Sequence, residues 1–203
     1  MLISRVALPN GFFMCDPEHG AQSGYLMEQI NYQHIAIEEK PFADRLALYI
    51  KHIIRPNIVL DIGCGPGHFV ESMLDIGVSA IGIDIDERVG GKPYLFRQDI
   101  LSTKFVADTC ICLEVLEHIP EDDADEVIDQ ISTMFYDTLI FTAAQPGQGG
   151  VGHINCQPKE YWIEKFVRNG VKRNTLHEDM LKLYCVQGRY MGWFYNNLIV
   201  FNK

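Results

Sequence analysis

No excess of positive charge runs through this chain: 17 Lys and Arg stand against 27 Asp and Glu, a formal net charge of −10. Binding a phosphate backbone needs clustered cations, so a nucleic-acid partner is not expected. The one basic concentration, Lys165, Arg168, Lys172 and Arg173, reads as a solvated helix end. No apolar run approaches the ~20 residues that span a bilayer. The opening MLISRVALPNGFF is broken by Pro9, so neither a membrane span nor a secretory leader is expected. No Cys-x-x-Cys pair occurs among Cys15, Cys64, Cys110, Cys112, Cys156 and Cys185. A disulfide framework is foreign to a chain of this size and make-up, which points to the reducing cytoplasm. Repeats are lacking too. What is present is ordinary for a globular domain with a sizeable core: 47% hydrophobic and 22% charged residues.

Residues 1 to about 24 are rich in turn formers and read as an irregular arm. Tyr25 to Ile54 reads as helix, with Phe42, Leu46, Tyr49, Ile50 and Ile53 at three- and four-residue spacing before Pro56 stops it. The arm and helix, residues 1–54, are expected to form a lid and one wall of an acceptor pocket, with Tyr25, Tyr32 and His34 in it; residues 55–203 form the core. From Asn57 onward strands and helices alternate. NIVLDIG, SAIGIDID, YLFRQDI, DTCICLEVL and TLIFTAA read as strands. HFVESMLDIG, closed by Gly77, reads as a helix, as does PEDDADEVIDQISTMF with Ala124, Val127, Ile128, Ile131 and Phe135 on its apolar face. PKEYWIEKFVRNG reads as a further helix, and the tail LKLYCVQGRYMGWFYNNLIVF as two strands joined by a turn. Such alternation implies an α/β, mostly parallel sheet covered on both faces, with ligands held beyond the carboxyl ends of its strands.

The first strand ends in Asp61-Ile62-Gly63-Cys64-Gly65-Pro66-Gly67 and opens a helix, and Asp84 closes the second strand. Glycines at alternate positions let a backbone turn sharply against a ligand, and a carboxylate at the second strand end can accept two ribose hydroxyls. His68 stands where a dinucleotide fingerprint wants its third glycine. The Asp-x-Gly-x-Gly-x-Gly run resembles the first motif of class I S-adenosylmethionine-dependent methyltransferases. GIDID, Gln98-Asp99-Ile100 and Leu113-Glu114-Val115-Leu116-Glu117-His118-Ile119 are similar to the family's later motifs, in the family's order. The resemblance implies a Rossmann-like, seven-stranded, mostly parallel sheet with helices on both faces and an antiparallel C-terminal strand. It implies S-adenosylmethionine as cofactor. Gly63, Cys64, Gly65 and Gly67 would line its amino-acid half and Asp61 orient that loop. Asp84 would take the ribose, Asp99 and Ile100 the adenine edge, and Leu113 and Glu114 the sulfonium end. Ile85 would pack on the adenine or simply in the core. His118 counts with the cofactor contacts; Glu117 and His118 suit the helix start and the pocket wall ahead of a place facing the acceptor.

The stretch Gln145-Pro146-Gly147-Gln148-Gly149-Gly150-Val151-Gly152-His153-Ile154-Asn155 follows the fifth strand, at the rim where an acceptor must arrive. An alcohol needs help to lose its proton, most often from His or a carboxylate. His153 is the candidate base; the alternative is a histidine that holds the loop shut. Asn155, Gln157 and Tyr161 are candidate acceptor contacts, and Trp162 is either core or a stacking platform. The Gly-His-x-Asn loop followed by Pro-x-Glu-Tyr-Trp resembles small methyltransferases of glycan assembly, including those acting on rhamnose-type deoxysugars. A sugar or glycan hydroxyl is therefore the expected acceptor, ahead of a quinone, polyketide or amine, or of a cofactor-binding module without activity. A second copy of the chain is kept as a candidate partner. No Asp/Glu/His cluster shows a metal-ligand spacing, so no metal is expected.

Overall fold

The computed structural model describes residues 32–186 and 192–203, with side chains from residue 37 to 184 and from 192 onward. The expected N-terminal arm and Tyr25 lie outside the described residues, as do the side chains of Tyr32 and His34. Helix α1, Tyr32–Tyr49, buries Phe42, Leu46 and Tyr49 at the expected spacing. It continues as a wider turn over Ile50–Ile54, where the Arg55 N–H donates to the Ile50 carbonyl at 2.8 Å. Ile53, expected on the apolar stripe, is instead 43% exposed. More than 3.6 residues per turn rotate it off the face that the α-helix set up.

A single sheet follows. It comprises β1 (Val59–Ile62), β2 (Ala80–Asp84), β3 (Leu95–Arg97), β4 (Ala107–Leu113), β5 (Phe135–Thr142), β6 (Lys172–Arg173) and β7 (Ile199–Asn202). The strand order is β3-β2-β1-β4-β5-β7-β6. Every pairing from β3 to β5 is parallel, and β7 runs antiparallel to both β5 and β6. This is the expected seven-stranded Rossmann-like α/β sheet with helices on both faces.

Alternate residues of the central strands feed two cores. One holds Leu60, Ile62, Cys110, Cys112, Leu139 and Phe141 under α3 (Ala124–Thr133) and α4 (Lys159–Arg168). Trp162 is 1% exposed there, packed as core with its ring 6.0 Å from Phe141. The other holds Val59, Ile111, Leu113 and Ile140 under α1, α2 (His68–Asp75), α5 (Thr175–Val186) and α6 (Gly192–Asn197). Strands buried on both faces read as continuous apolar runs, which is why β1 and β4 stand out in the sequence.

The tail departs from the expected pair of strands. Residues 175–186 and 192–197 are helical, and only 199–202 pair with the sheet. Met180, Leu181 and Tyr184 recur at helical spacing against α1, and Phe194 packs its ring 4.6 Å from Phe42. The remaining strand, β6, consists of two exposed basic residues, Lys172 and Arg173, that no apolar pattern announces. Phe135 is also displaced: α3 ends at Thr133 and Phe135 opens β5, because Met134 closes the helix by returning its N–H to Ile131. The basic patch is largely neutralised by its own neighbours. Lys165 pairs with Asp125, Arg168 with Glu164, and Arg173 with Glu178. No helix among the described residues is long and apolar enough to cross a membrane.

Candidate active site

The strand order reverses between β1 and β4, and the chemistry-bearing residues collect along the carboxyl ends on either side of that point. On leaving β1 the N–H groups of Gly63 and Cys64 both donate to the Ile83 carbonyl, at 2.8 and 2.9 Å, hinging the loop to β2. Gly63 sits at φ +71°, and a Cβ there would lie 2.5 Å from a methyl of Val115. Gly67, at φ +82°, begins α2 with Leu95 so close that a Cβ would lie 2.6 Å from it. Both positions therefore require glycine. The Asp84 carboxylate closes the arrangement: one oxygen accepts from the Gly65 N–H at 2.8 Å and the other from the Asp86 N–H at 2.9 Å. Asp61 is buried at the end of β1, Ile85 is half-buried, and Ile100 is buried. Asp99 caps a short turn by accepting from the Leu101 N–H at 2.9 Å.

His68 opens α2 and places Nε2 2.9 Å from Glu39 of α1, both side chains being buried. Sequence reasoning used His68 only to exclude a dinucleotide, and Glu39 carries no local signal. The pair ties α1 to the glycine loop.

Next along the strand ends, Leu113 is fully buried and Glu114 takes a left-handed conformation, φ +53°, unusual for a residue with a side chain. The Glu114 N–H donates to the Thr142 carbonyl at 3.0 Å. Its carboxylate accepts from Asn197 Nδ2 at 2.9 Å and Gln148 Nε2 at 2.7 Å. Burial raises its pKa, and these bonds counteract the rise. Gln148 and Asn197 were not among the expected site residues. Asn197 lies at the end of α6, and only the fold brings it 83 positions back to Glu114.

Beyond Glu114 the loop after β5 folds back over the short turn Leu116–His118. The Glu117 carbonyl accepts from the N–H groups of Ile154 and Asn155, at 2.9 and 3.0 Å, and pins the loop. Glu117, His118 and His153 converge: one ligand-type atom from each lies within 4.8 Å of the others. His118, expected among the cofactor contacts, turns its ring to this cluster, its centroid 5.0 Å from that of His153. The fold joins in this group residues 36 positions apart, which no local spacing in the sequence announces. Burial pushes the Glu117 carboxyl well up, and the neighbouring Glu114 charge adds to this. Burial holds His118 down to about 3, with the repulsion of His153 second, and His153 down to about 4. Both imidazoles are therefore neutral near pH 7. Asn155 is buried, with its Oδ1 accepting from Gln157 Nε2 at 2.9 Å. Tyr161 is half-buried, edge-on to Trp162 and under the Lys165 ammonium.

A family model described as a methyltransferase domain matches residues 32–148, which hold the glycine loop, Asp84, Asp99 and the Glu114–His118 run. The chain belongs to this methyltransferase family. Among solved structures, the methyltransferase resembles the magnesium protoporphyrin IX methyltransferase of Synechocystis, crystallised with bound S-adenosylmethionine. The TM-score is 0.59 at 18% identity, over 92% of each chain. It also resembles an S-adenosylmethionine-dependent methyltransferase of Archaeoglobus fulgidus, with a TM-score of 0.56 at 18% identity over 89% of this chain and 99% of that one. Among curated relatives, the magnesium-protoporphyrin O-methyltransferase of Synechocystis is 29% identical over 43% of this chain and 44% of its own length. The ubiquinone biosynthesis O-methyltransferase of Nitrosospira multiformis is 29% identical over 58% of this chain and 53% of its own. The chain thus spans about half the length of these relatives. The methyltransferase uses S-adenosylmethionine, and its residues fit that cofactor. The glycine loop is held in its bare-backbone turn by Val115 and Leu95, and the Asp84 carboxylate lies beside it on the Gly65 N–H.

Proposed function

We propose that this methyltransferase transfers a methyl group to an oxygen of a small-molecule acceptor. The observation that carries the reading is the buried Glu117, His118 and His153 group at the carboxyl ends of β4 and β5, next in line after the glycine loop and Glu114. The names of the curated relatives, all O-methyltransferases, support it. S-adenosylmethionine supplies a methyl carbon on a positive sulfur, so attack by an acceptor oxygen forms the carbon–oxygen bond, breaks the carbon–sulfur bond and releases the hydroxyl proton.

The protein's part is to align and deprotonate. In this reading Gly63, Cys64, Gly65 and Gly67 cradle the amino-acid half of the cofactor and Asp61 orders their loop. Asp84 takes the ribose hydroxyls, Asp99, Ile100 and Ile85 surround the adenine, and Leu113 and Glu114 face the sulfonium. Asn155, Gln157 and Tyr161 border the acceptor's approach. His153 is positioned to accept the hydroxyl proton. An imidazole held at about 4 is a weak base, however, so something else must make the hydroxyl more acidic. The relatives' names point to small molecules rather than to the expected sugar or glycan.

The test is a panel of phenols, quinols, carboxylic acids, nucleotide sugars and short glycans incubated with labelled S-adenosylmethionine, with mass spectrometry locating the added methyl group. Transfer to oxygen is the expected result. Transfer confined to nitrogen or carbon would refute the reading.

A further inference from the structure

The geometry points to a divalent-cation centre built from Glu117, His118 and His153, with an open position that takes the acceptor oxygen. The inference rests on the O-methyl transfer reading for the identity of that oxygen, and on the structure alone for the cation.

Four observations converge. Each imidazole is oriented through its Nδ1: His118 Nδ1 lies 3.0 Å from the Gly152 carbonyl, and His153 Nδ1 lies 3.3 Å from the Gln148 carbonyl. A carbonyl accepts only, so these bonds put each proton on Nδ1 and turn the lone pair of Nε2 inward. This is the arrangement by which histidine ligands are aimed at a metal. The Cys156 thiol, 3.8 Å from His153 Nδ1, lies against the same Gln148 carbonyl. Second, the inward atoms meet a carboxylate. His153 Nε2 lies 3.9 Å from Glu117 Oε1, and donors from all three residues fall within 4.8 Å of one another. A tetrahedral cation with bonds of about 2.1 Å sets its donors ~3.4 Å apart, so side-chain adjustments of up to about 1.4 Å complete the set.

Third, the side chains of Glu117 and His118 are nine-tenths or more buried, and His118 Nε2 meets no hydrogen-bond partner. Neither Glu117 oxygen makes a well-formed hydrogen bond, although the Glu114 carboxyl and the backbone amides of Glu117 and Ala144 lie near it. Burying polar groups with so little compensation is costly, and a cation would remove that cost. Fourth, the loop is shaped for this packing. A Cβ on Gly150 would lie 2.1 Å from the His153 ring, and one on Gly152 would lie 3.2 Å from His118 Nδ1. Only glycine at position 150 lets His153 fold inward over the backbone.

Two imidazoles and a carboxylate suit Zn²⁺, Mn²⁺, Fe²⁺ or Co²⁺ better than Mg²⁺, which prefers an all-oxygen shell. Three protein ligands leave a position open, as in catalytic rather than structural centres. A cation there would polarise an acceptor hydroxyl and lower its pKa. The cation then takes over the task given to His153 above, because an imidazole that ligates through Nε2 and carries its proton on Nδ1 accepts no further proton.

Co²⁺ is the probe, because its visible absorption reports its coordination number and geometry, intense where four-coordinate. The full chain, stripped with chelator, is titrated with Co²⁺ and, separately, with Zn²⁺ and Mn²⁺, with the metal content measured after dialysis. The expected result is one equivalent bound and a visible Co²⁺ band. Affinity should fall by at least about a hundredfold in His118→Ala, in His153→Gln and in Glu117→Gln. Binding of S-adenosylhomocysteine to each variant shows that it is folded. Absence of a Co²⁺ band in the native chain, or binding unchanged across folded variants, would overturn the centre. The two readings fail separately. Stoichiometric Co²⁺ binding without transfer to oxygen sustains the centre and refutes the O-methyl reading. O-methyl transfer that survives exhaustive chelation refutes the centre alone.

Discussion

Replacing Asp84 by alanine removes two kinds of acceptor at once, and the two losses are separable. The carboxylate is 2% exposed and holds the N–H groups of Gly65 and Asp86 at 2.8 and 2.9 Å. Alanine leaves both amides without that partner inside the protein. Each costs about 1–3 kcal/mol, so the fold should lose about 2–6 kcal/mol. For a chain of this length that is a fall of roughly 5–20 °C in the melting temperature. The ligand side is independent. If the remaining lone pairs accept two ribose hydroxyls, two charge-assisted bonds of about 1.5–3 kcal/mol each disappear. Affinity for S-adenosylhomocysteine should then fall by about 10²–10⁴. Asp84→Asn keeps one acceptor oxygen and should lie between the two extremes in both measurements. Thermal melts without ligand and calorimetry with S-adenosylhomocysteine supply the pair of numbers. A lowered melt with unchanged affinity would show that the ribose is held elsewhere. Native behaviour in both would refute the loop geometry as well.

Gly63→Ala should lower stability by about 2–4 kcal/mol, because alanine resists φ +71° and its Cβ would collide with buried Val115; denaturant unfolding measures the loss, and a native midpoint would refute the close approach. Asp108 accepts from the N–H groups of Asn57 and Ile58, and although burial alone would raise its pKa, these bonds outweigh it and hold the carboxyl below its usual value. Its contribution is therefore complete above the unfolded carboxylate pKa of ~3.9 and is lost as pH falls through the lower folded value. Melting temperature followed from pH 6 downward should fall less steeply in Asp108→Asn than in the native chain, and parallel curves would refute the assignment.

Much of the sheet was legible because its central strands are buried on both faces. Val59–Ile62 and Ala107–Leu113 lie among continuous apolar residues, and a glycine-rich turn between strand and helix has few other uses. The tail misled because aromatic and β-branched residues suit a strand and a buried helix alike. Gly192–Asn197 is helical because Phe194 finds Phe42 on α1, a contact that no local pattern contains. β6 is invisible for the opposite reason: Lys172 and Arg173 are exposed, and their strand exists only as backbone pairing to Asn202 and Phe201.

The same division runs through the site. Sequence alone brought out the glycine turn and the carboxylate beside it: Gly63, Gly65, Gly67 and Asp84 are read from spacing, because a tight turn constrains backbone conformation locally. His153 and Glu117 were each visible as isolated residues with several possible uses. Tertiary structure alone decided that they face one another, that His118 joins them, and that Asn197 and Gln148 hold Glu114. The physical reason is that backbone conformation is set within a few residues. A cluster of side chains, by contrast, is set by which loops the sheet brings to the same strand ends, and by the glycines that let one of those loops fold inward.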